Sequence, residues 1–300
     1  MSWTNTAILS AAILGMVNIF DSHLVSKRLP SFRVFLLLVG SVHLIYGLIL
    51  LNLFPLPEDT GWLPVVAAVA SGIFRTIAAT IMLYSMKSTE VSRVIPIVYT
   101  SPIFVAILAV PLLGESLNYL QWLAIIIVVS GAVIISIEKS SSLSEKWPGS
   151  TFLLPMVSSI LFAAADIISK YALSYLSFWN LFYISAFCMS SLWFPFSIRP
   201  SVLRQIRYMK KRNSAITLLS FNELVAAIGI TLSFRAIANG PVSLASTIIA
   251  SRPIFVAVYA IIMSRVLPGF LMRSADRRTL ALRLVATVMI VSGISIIYFN

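Results

Sequence analysis

Thr100-Ser101-Pro102-Ile103-Phe104-Val105-Ala106 nearly recurs as Ala250-Ser251-Arg252-Pro253-Ile254-Phe255-Val256-Ala257, with Pro253 following Pro102 by 151 positions. Each copy lies in a long apolar run. The next apolar run ends in Val129-Ser130-Gly131 in one case and Val291-Ser292-Gly293 in the other, 162 positions on. The difference is absorbed by one loop, 265–279, longer than its counterpart around Gly114-Glu115-Ser116. A fainter echo pairs Ser26-Lys27 with Ser169-Lys170. Self-similarity at half the chain length indicates duplication, and in membrane proteins it indicates two structural repeats with a site between them.

Composition sets the class. Of the 300 residues, 59% are hydrophobic and only 11% charged, and the mean hydropathy is +0.97. Soluble domains carry about 25% charged residues, so this chain has too little polar surface to face water all round. The apolar runs are continuous and near the ~20 residues a helix needs to cross hydrocarbon, without the alternation of a membrane barrel. The net charge of +12 reads as basic residues in cytoplasmic loops and not as a nucleic-acid footprint. Cys188 is the single cysteine, which excludes a disulfide framework and a cysteine metal site. No Lys or Arg precedes Lys27, so the first apolar run is expected to be a permanent helix and not a cleaved signal.

Hydropathy predicts an all-α polytopic membrane protein with ten transmembrane helices, at about 6–26, 33–54, 62–86, 91–113, 119–137, 151–175, 178–198, 214–238, 242–266 and 280–298. Two prolines and a glycine in Pro55-Leu56-Pro57-Glu58-Asp59-Thr60-Gly61 break the chain early, and Asn239-Gly240-Pro241 turns it late. The serine-rich polar stretch 139–150 divides a first repeat, 1–138, from a second, 151–300. Five helices per repeat is odd, so the two repeats must be inverted relative to one another.

Loops after the odd-numbered helices hold Lys27, Arg28, Arg33, Lys87, Arg93, Lys139, Lys146, the six basic residues from Arg199 to Arg212, and Arg265, Arg273, Arg277, Arg278 and Arg283. The opposite loops hold Glu58, Asp59 and Glu115. The positive-inside rule then puts the odd loops in the cytoplasm and both termini outside, in a multi-pass protein of the plasma membrane.

The proline-bearing fourth helix with Ser101-Pro102-Ile103-Phe104, the turn Leu112-Leu113-Gly114-Glu115-Ser116 and the closing Val128-Val129-Ser130-Gly131-Ala132 resemble the EamA domain, the repeat of the drug/metabolite transporter superfamily. The likeness covers essentially the whole chain and is stronger in the first repeat. It implies a ten-helix transporter of small metabolites working by alternating access, with a central cavity lined by helices one, three, four, six, eight and nine. Two departures stand out: the second repeat replaces the Gly-Glu turn by the long basic loop, and loop charge puts the termini outside where the family more often keeps them in the cytoplasm.

Ionisable residues within the predicted spans are Asp21, His23, His43, Arg75, Asp166, Lys170, Glu223, Arg235 and Arg252. A charge at mid-membrane costs at least about 2.5 kcal/mol, so such groups face a partner or an aqueous cavity. Helical rise lets Arg75, Arg252, Glu223 and Asp166 share one layer near the midplane. There Arg75 and Arg252 would hold an anionic group, with Glu223 as counter-charge and candidate proton carrier. Asn18 and Asp21 form a small polar stripe on helix one, suited to a gate, a lipid-headgroup contact or a substrate contact. Lys170, four residues from Asp166, is expected to neutralise it. Pro102 and Pro253 each remove a backbone donor and are expected to kink their helices.

No His-Glu-x-x-His, Gly-x-Ser-x-Gly or phosphate-binding glycine loop occurs, so an enzyme is not expected, nor a cofactor or metal. The leading reading is a secondary transporter for a small polar, anionic or zwitterionic metabolite, with protons as candidate coupling ion. The competing readings are a translocator of a lipid-linked intermediate and a non-transporting assembly subunit. Expected partners are the small-molecule substrate and membrane lipids, with no nucleic acid, and the chain is expected to be a monomer or homodimer.

Overall fold

The computed structural model describes residues 1–88, 91–136, 149–266 and 277–299. Among them every regular element is helical. In chain order these are α1 (Trp3–His23, continued by a π-helical turn Leu24–Arg28), α2 (Phe32–Leu53), α3 (Trp62–Ser88), α4 (Val91–Val98), α5 (Ser101–Leu113), α6 (Tyr119–Ser136) and α7 (Gly149–Leu173). They continue with α8 (Phe178–Ser197), α9 (Pro200–Arg207), α10 (Arg212–Asn239), α11 (Val242–Ile249), α12 (Arg252–Val266) and α13 (Arg277–Phe299). Most of the linker 139–150 and most of the 265–279 loop read from the sequence lie outside the described residues.

Seven of these spans are long and apolar enough to cross a membrane, or eight when α8 is counted with α9, from which it is bent by 96°. Two shorter apolar stretches, Tyr119–Ile134 and Leu284–Phe299, belong to α6 and α13. Large apolar side chains such as Ile45, Leu48, Leu153, Ile228 and Val288 stand exposed on the outside, as lipid-facing residues would. Helix starts follow local chemistry. Ser2 and Ser31 accept the Asn5 and Val34 N–H groups, and Ser177 with Asn180 forms a reciprocal capping box.

The pairing of helices has a pattern. α3 runs along α7 and α1 along α10, α2 packs on α8 and α6 on α13, and α4 and α5 pack on α7 as α11 and α12 pack on α1. Exchanging α1 with α7, α2 with α8, α3 with α10, α4 with α11, α5 with α12 and α6 with α13 leaves this set of contacts unchanged. The Val-Ser-Gly endings show why. A Cβ on Gly131 would sit 2.8 Å from Ile290 and 2.9 Å from the Ala286 carbonyl, and one on Gly293 would sit 2.6 Å from Val128 and 3.1 Å from the Ala124 carbonyl. The two glycines therefore serve one reciprocal crossing of α6 and α13, where only a missing side chain lets the backbones meet.

The expected kinks at Pro102 and Pro253 are full breaks. Tyr99-Thr100 separates α4 from α5, and Ala250-Ser251 separates α11 from α12. Each proline takes the second position of the new helix, where its missing N–H has no helical acceptor to lose. The breaks are built alike. The Thr100 hydroxyl donates to Ile97 O at 2.6 Å and the Ser251 hydroxyl to Ile248 O at 2.6 Å. The backbone bonds Ile103 N to Thr100 O and Ile254 N to Ser251 O, both 3.0 Å, also match.

Candidate functional site

The two breaks meet near the middle of the helices. Arg75 lies halfway along α3, thirteen residues or about 20 Å from either end. Its guanidinium donates to Asp166 Oδ1 of α7 at 2.8 Å and to Ser169 Oγ at 3.3 Å, and lies 5.1 Å above the Phe234 ring of α10. The second Asp166 oxygen accepts from Ser246 Oγ of α11 at 2.7 Å. The Arg75 and Asp166 side chains keep 24% and 17% exposure, so both border open space between helices and are not sealed in a core.

Arg252 opens α12 at the second break and interacts electrostatically with Tyr99, Asp166 and Arg75. It makes no ion pair among the described residues. Tyr99 stands at the first break, and its hydroxyl accepts from Asn18 of α1 at 3.4 Å. The cluster thus joins α1, α3, the α4–α5 break, α7, α10 and the α11–α12 break. These are the six helices that the sequence resemblance assigns to a cavity.

Two cations and one carboxylate leave one positive charge unbalanced. In addition, the Nε–H groups of both Arg75 and Arg252 are buried without an acceptor in the protein. A buried donor left unpaired costs about 1–3 kcal/mol, so the site favours a ligand that brings acceptor oxygens and negative charge.

Glu223 does not belong to this cluster. On α10 it precedes Phe234 by eleven residues, about 16 Å of helix. It is buried at 4% exposure, lies 3.6 Å from His43 Nδ1 of α2, and is electrostatically coupled to Asp21. Asp21 in turn accepts from Asn222 Nδ2 at 2.7 Å, while the Asn222 side-chain oxygen is buried and unpartnered. The counter-charge to Arg75 is therefore Asp166, and the expected single layer resolves into two clusters. They lie one turn apart on α1, where Asn18 serves the first and Asp21 the second.

Lys170 also departs from expectation. Its ammonium turns away from Asp166 and donates to the carbonyls of Ile237, Ala238 and Gly240 at 2.8, 3.1 and 2.8 Å, capping the end of α10. Glu115 does the converse for α11. Its carboxylate accepts from the Val242 and Ser243 N–H groups and from the Ser243 hydroxyl. Gly114 makes this possible, because its φ of +67° ends α5 in the left-handed region and turns Glu115 toward the other half. Lys170 and Glu115 thus clamp the α10–α11 turn from both sides and lie outside the arginine cluster. Arg235 is exposed, and His23 accepts from Arg28 Nε at 3.4 Å.

With this geometry in view, comparison identifies the first half. Residues 1–137 match the EamA-like transporter family. The EamA-like segment holds Asn18, Asp21, Arg75, Tyr99 and Glu115, and the match is consistent with the drug/metabolite transporter superfamily. No curated protein matches the chain. Among solved structures, one crystal structure aligns with a TM-score of 0.67 over 98% of this chain and 94% of its own, at 14% identity. At that identity the likeness concerns the fold alone. The EamA-like family is one of transporters, and several apolar helices make this chain a multi-pass membrane protein.

Sequence reasoning did not place Tyr99, Ser169, Phe234, Ser246 or Asn222 in a site, because an uncharged residue stands out little within an apolar span. Tyr99 had one available clue, its place beside the repeated break motif.

Proposed function

We propose that this chain is a secondary transporter that moves a small anionic or zwitterionic metabolite by alternating access. Ten crossings follow when α6 and α13 are added to the eight longer spans, arranged as two inverted five-helix repeats, 1–138 and 151–300, about the linker 139–150. The matched hydrogen bonds at Thr100 and Ser251 and the reciprocal crossing at Gly131 and Gly293 support that arrangement. Loop charge supports an orientation with both termini outside the plasma membrane.

One observation carries the substrate class: two buried arginine Nε–H donors without acceptors, in a cluster with one excess positive charge. The substrate's anionic group would bind Arg252 and the free side of Arg75, while Asp166 holds Arg75 in place and can meet a substrate ammonium. The two helix breaks act as hinges around this site, because their N–H groups and carbonyls are already released from continuous helices. The Asp21–Glu223 pair, one turn along α1, is the candidate for the coupling proton. Protonation there removes negative charge beside the helix that also carries Asn18.

A ligand-stabilisation screen of the purified protein over amino acids, sugar phosphates, nucleotides and polyprenyl phosphates tests the reading, since a ligand of the folded state raises its melting temperature. An anion that stabilises the wild type but not Arg252→Gln supports it. If every stabilising ligand acts equally on Arg75→Gln and Arg252→Gln, the arginines are structural and the proposal falls.

A further inference from the structure

We propose that the basic face of the molecule holds a binding site for the phosphate headgroup of an anionic phospholipid, built between the turn after α1, helix α9 and the start of α10. This proposal is independent of the transport reading and requires only that this face meets a membrane surface.

The site follows from how the chain leaves α8. Arg199 is extended and Pro200 opens α9, which departs from α8 at 96° and so runs along the surface and not through it. α9 is amphipathic. Val202 is buried against Val34 and Leu37, while Arg204 and Arg207 are exposed on its polar side. Gln205 accepts from Ser31 Oγ at 2.7 Å, which ties α9 to the start of α2.

Between these elements lies a cavity of about 720 Å³ lined by Arg28, Leu29, Pro30, Gln205, Tyr208, Met209, Lys210 and Lys211. Three cations and no carboxylate line it. Neither stretch that builds it, 24–54 or 197–222, contains an Asp or Glu. Lys211 holds a φ of 54° and immediately precedes α10, whose first turn has no side-chain cap, so backbone donors open beside the lysines. Three cations around one pocket call for an anion with several acceptor oxygens.

Position selects a lipid over a soluble phosphate. Leu203 and Tyr208 flank the pocket at 53% and 74% exposure, at the level where the apolar span α8 ends. There they can meet acyl chains and the headgroup layer, as interfacial aromatics do. A basic side chain near an anionic bilayer surface is worth enough that three together favour an anionic over a zwitterionic lipid on the order of 100-fold.

The test uses the full chain, delipidated in a neutral detergent, with bound lipid counted by native mass spectrometry during titration. Dioleoylphosphatidylglycerol should bind saturably and on the order of 100-fold more tightly than dioleoylphosphatidylcholine. Arg28→Gln/Lys210→Gln/Lys211→Gln should lose that preference, and Lys210→Arg/Lys211→Arg should keep it. Since loss of loop charge can disturb insertion, the wild type at 0.5 M salt provides a second reading, and there too the preference should collapse. Equal binding of the two lipids, a preference that survives the triple substitution, or one insensitive to salt overturns the proposal. So does equal competition by free inorganic phosphate or glycerol phosphate, which would make the ligand a soluble phosphate.

Discussion

Removing the Glu115 carboxylate should destabilise the whole protein, although Glu115 sits in a loop. Pro241 precedes α11 and offers no side-chain cap, so the first N–H groups of that helix depend on a residue 127 positions earlier. Val242 and Ser243 are both fully buried, so Glu115→Ala leaves two N–H donors unpaired. At about 1–3 kcal/mol each, with up to ~2 kcal/mol more for the lost anion at a helix N-terminus, the expected cost is about 2–8 kcal/mol. Glu115→Gln keeps one of the two acceptor oxygens and loses the other together with the charge, so it should cost about half as much. Equilibrium unfolding of purified protein in detergent–SDS mixed micelles, followed by circular dichroism, measures both. A Glu115→Ala stability within about 0.5 kcal/mol of wild type would refute the capping argument. Equal losses in the two variants would show that the remaining oxygen contributes nothing and that the charge carries the effect.

Three further outcomes are expected. Glu223→Gln should still bind substrate but transport it at a rate that no longer varies with pH; an unchanged pH profile in reconstituted vesicles removes Glu223 from coupling. Gly131→Val and Gly293→Val should each destabilise by about 1–3 kcal/mol through overpacking of one shared crossing, and unequal losses in the same unfolding assay would contradict its reciprocity. A reporter fused to the C-terminus should be active only on the extracytoplasmic side, and a cytoplasmic signal would show that the basic loops do not set the orientation.

The order of apolar runs already specified the helices, because a segment that must satisfy its backbone inside lipid has no choice but to be helical. The repeated Pro-Ile-Phe-Val-Ala and Val-Ser-Gly segments likewise pointed to two related halves, since their spacing needs no partner to be read. The six-helix lining of the arginine cluster was legible through the family resemblance. Which charges meet was not. Asp166 has a cation four residues away on its own helix, yet it pairs with Arg75, 91 positions distant, while Lys170 caps the carbonyls of another helix. A long side chain can reach several partners of similar local distance, and the backbone of a neighbouring helix end competes as strongly as a carboxylate. Glu223 shows the same limit, for helical rise sets its depth but not which side of α10 faces α1 and α2. Tertiary packing settled those choices, because a buried polar group takes whichever partner lies within hydrogen-bond reach, and reach is a property of helix placement and not of sequence separation.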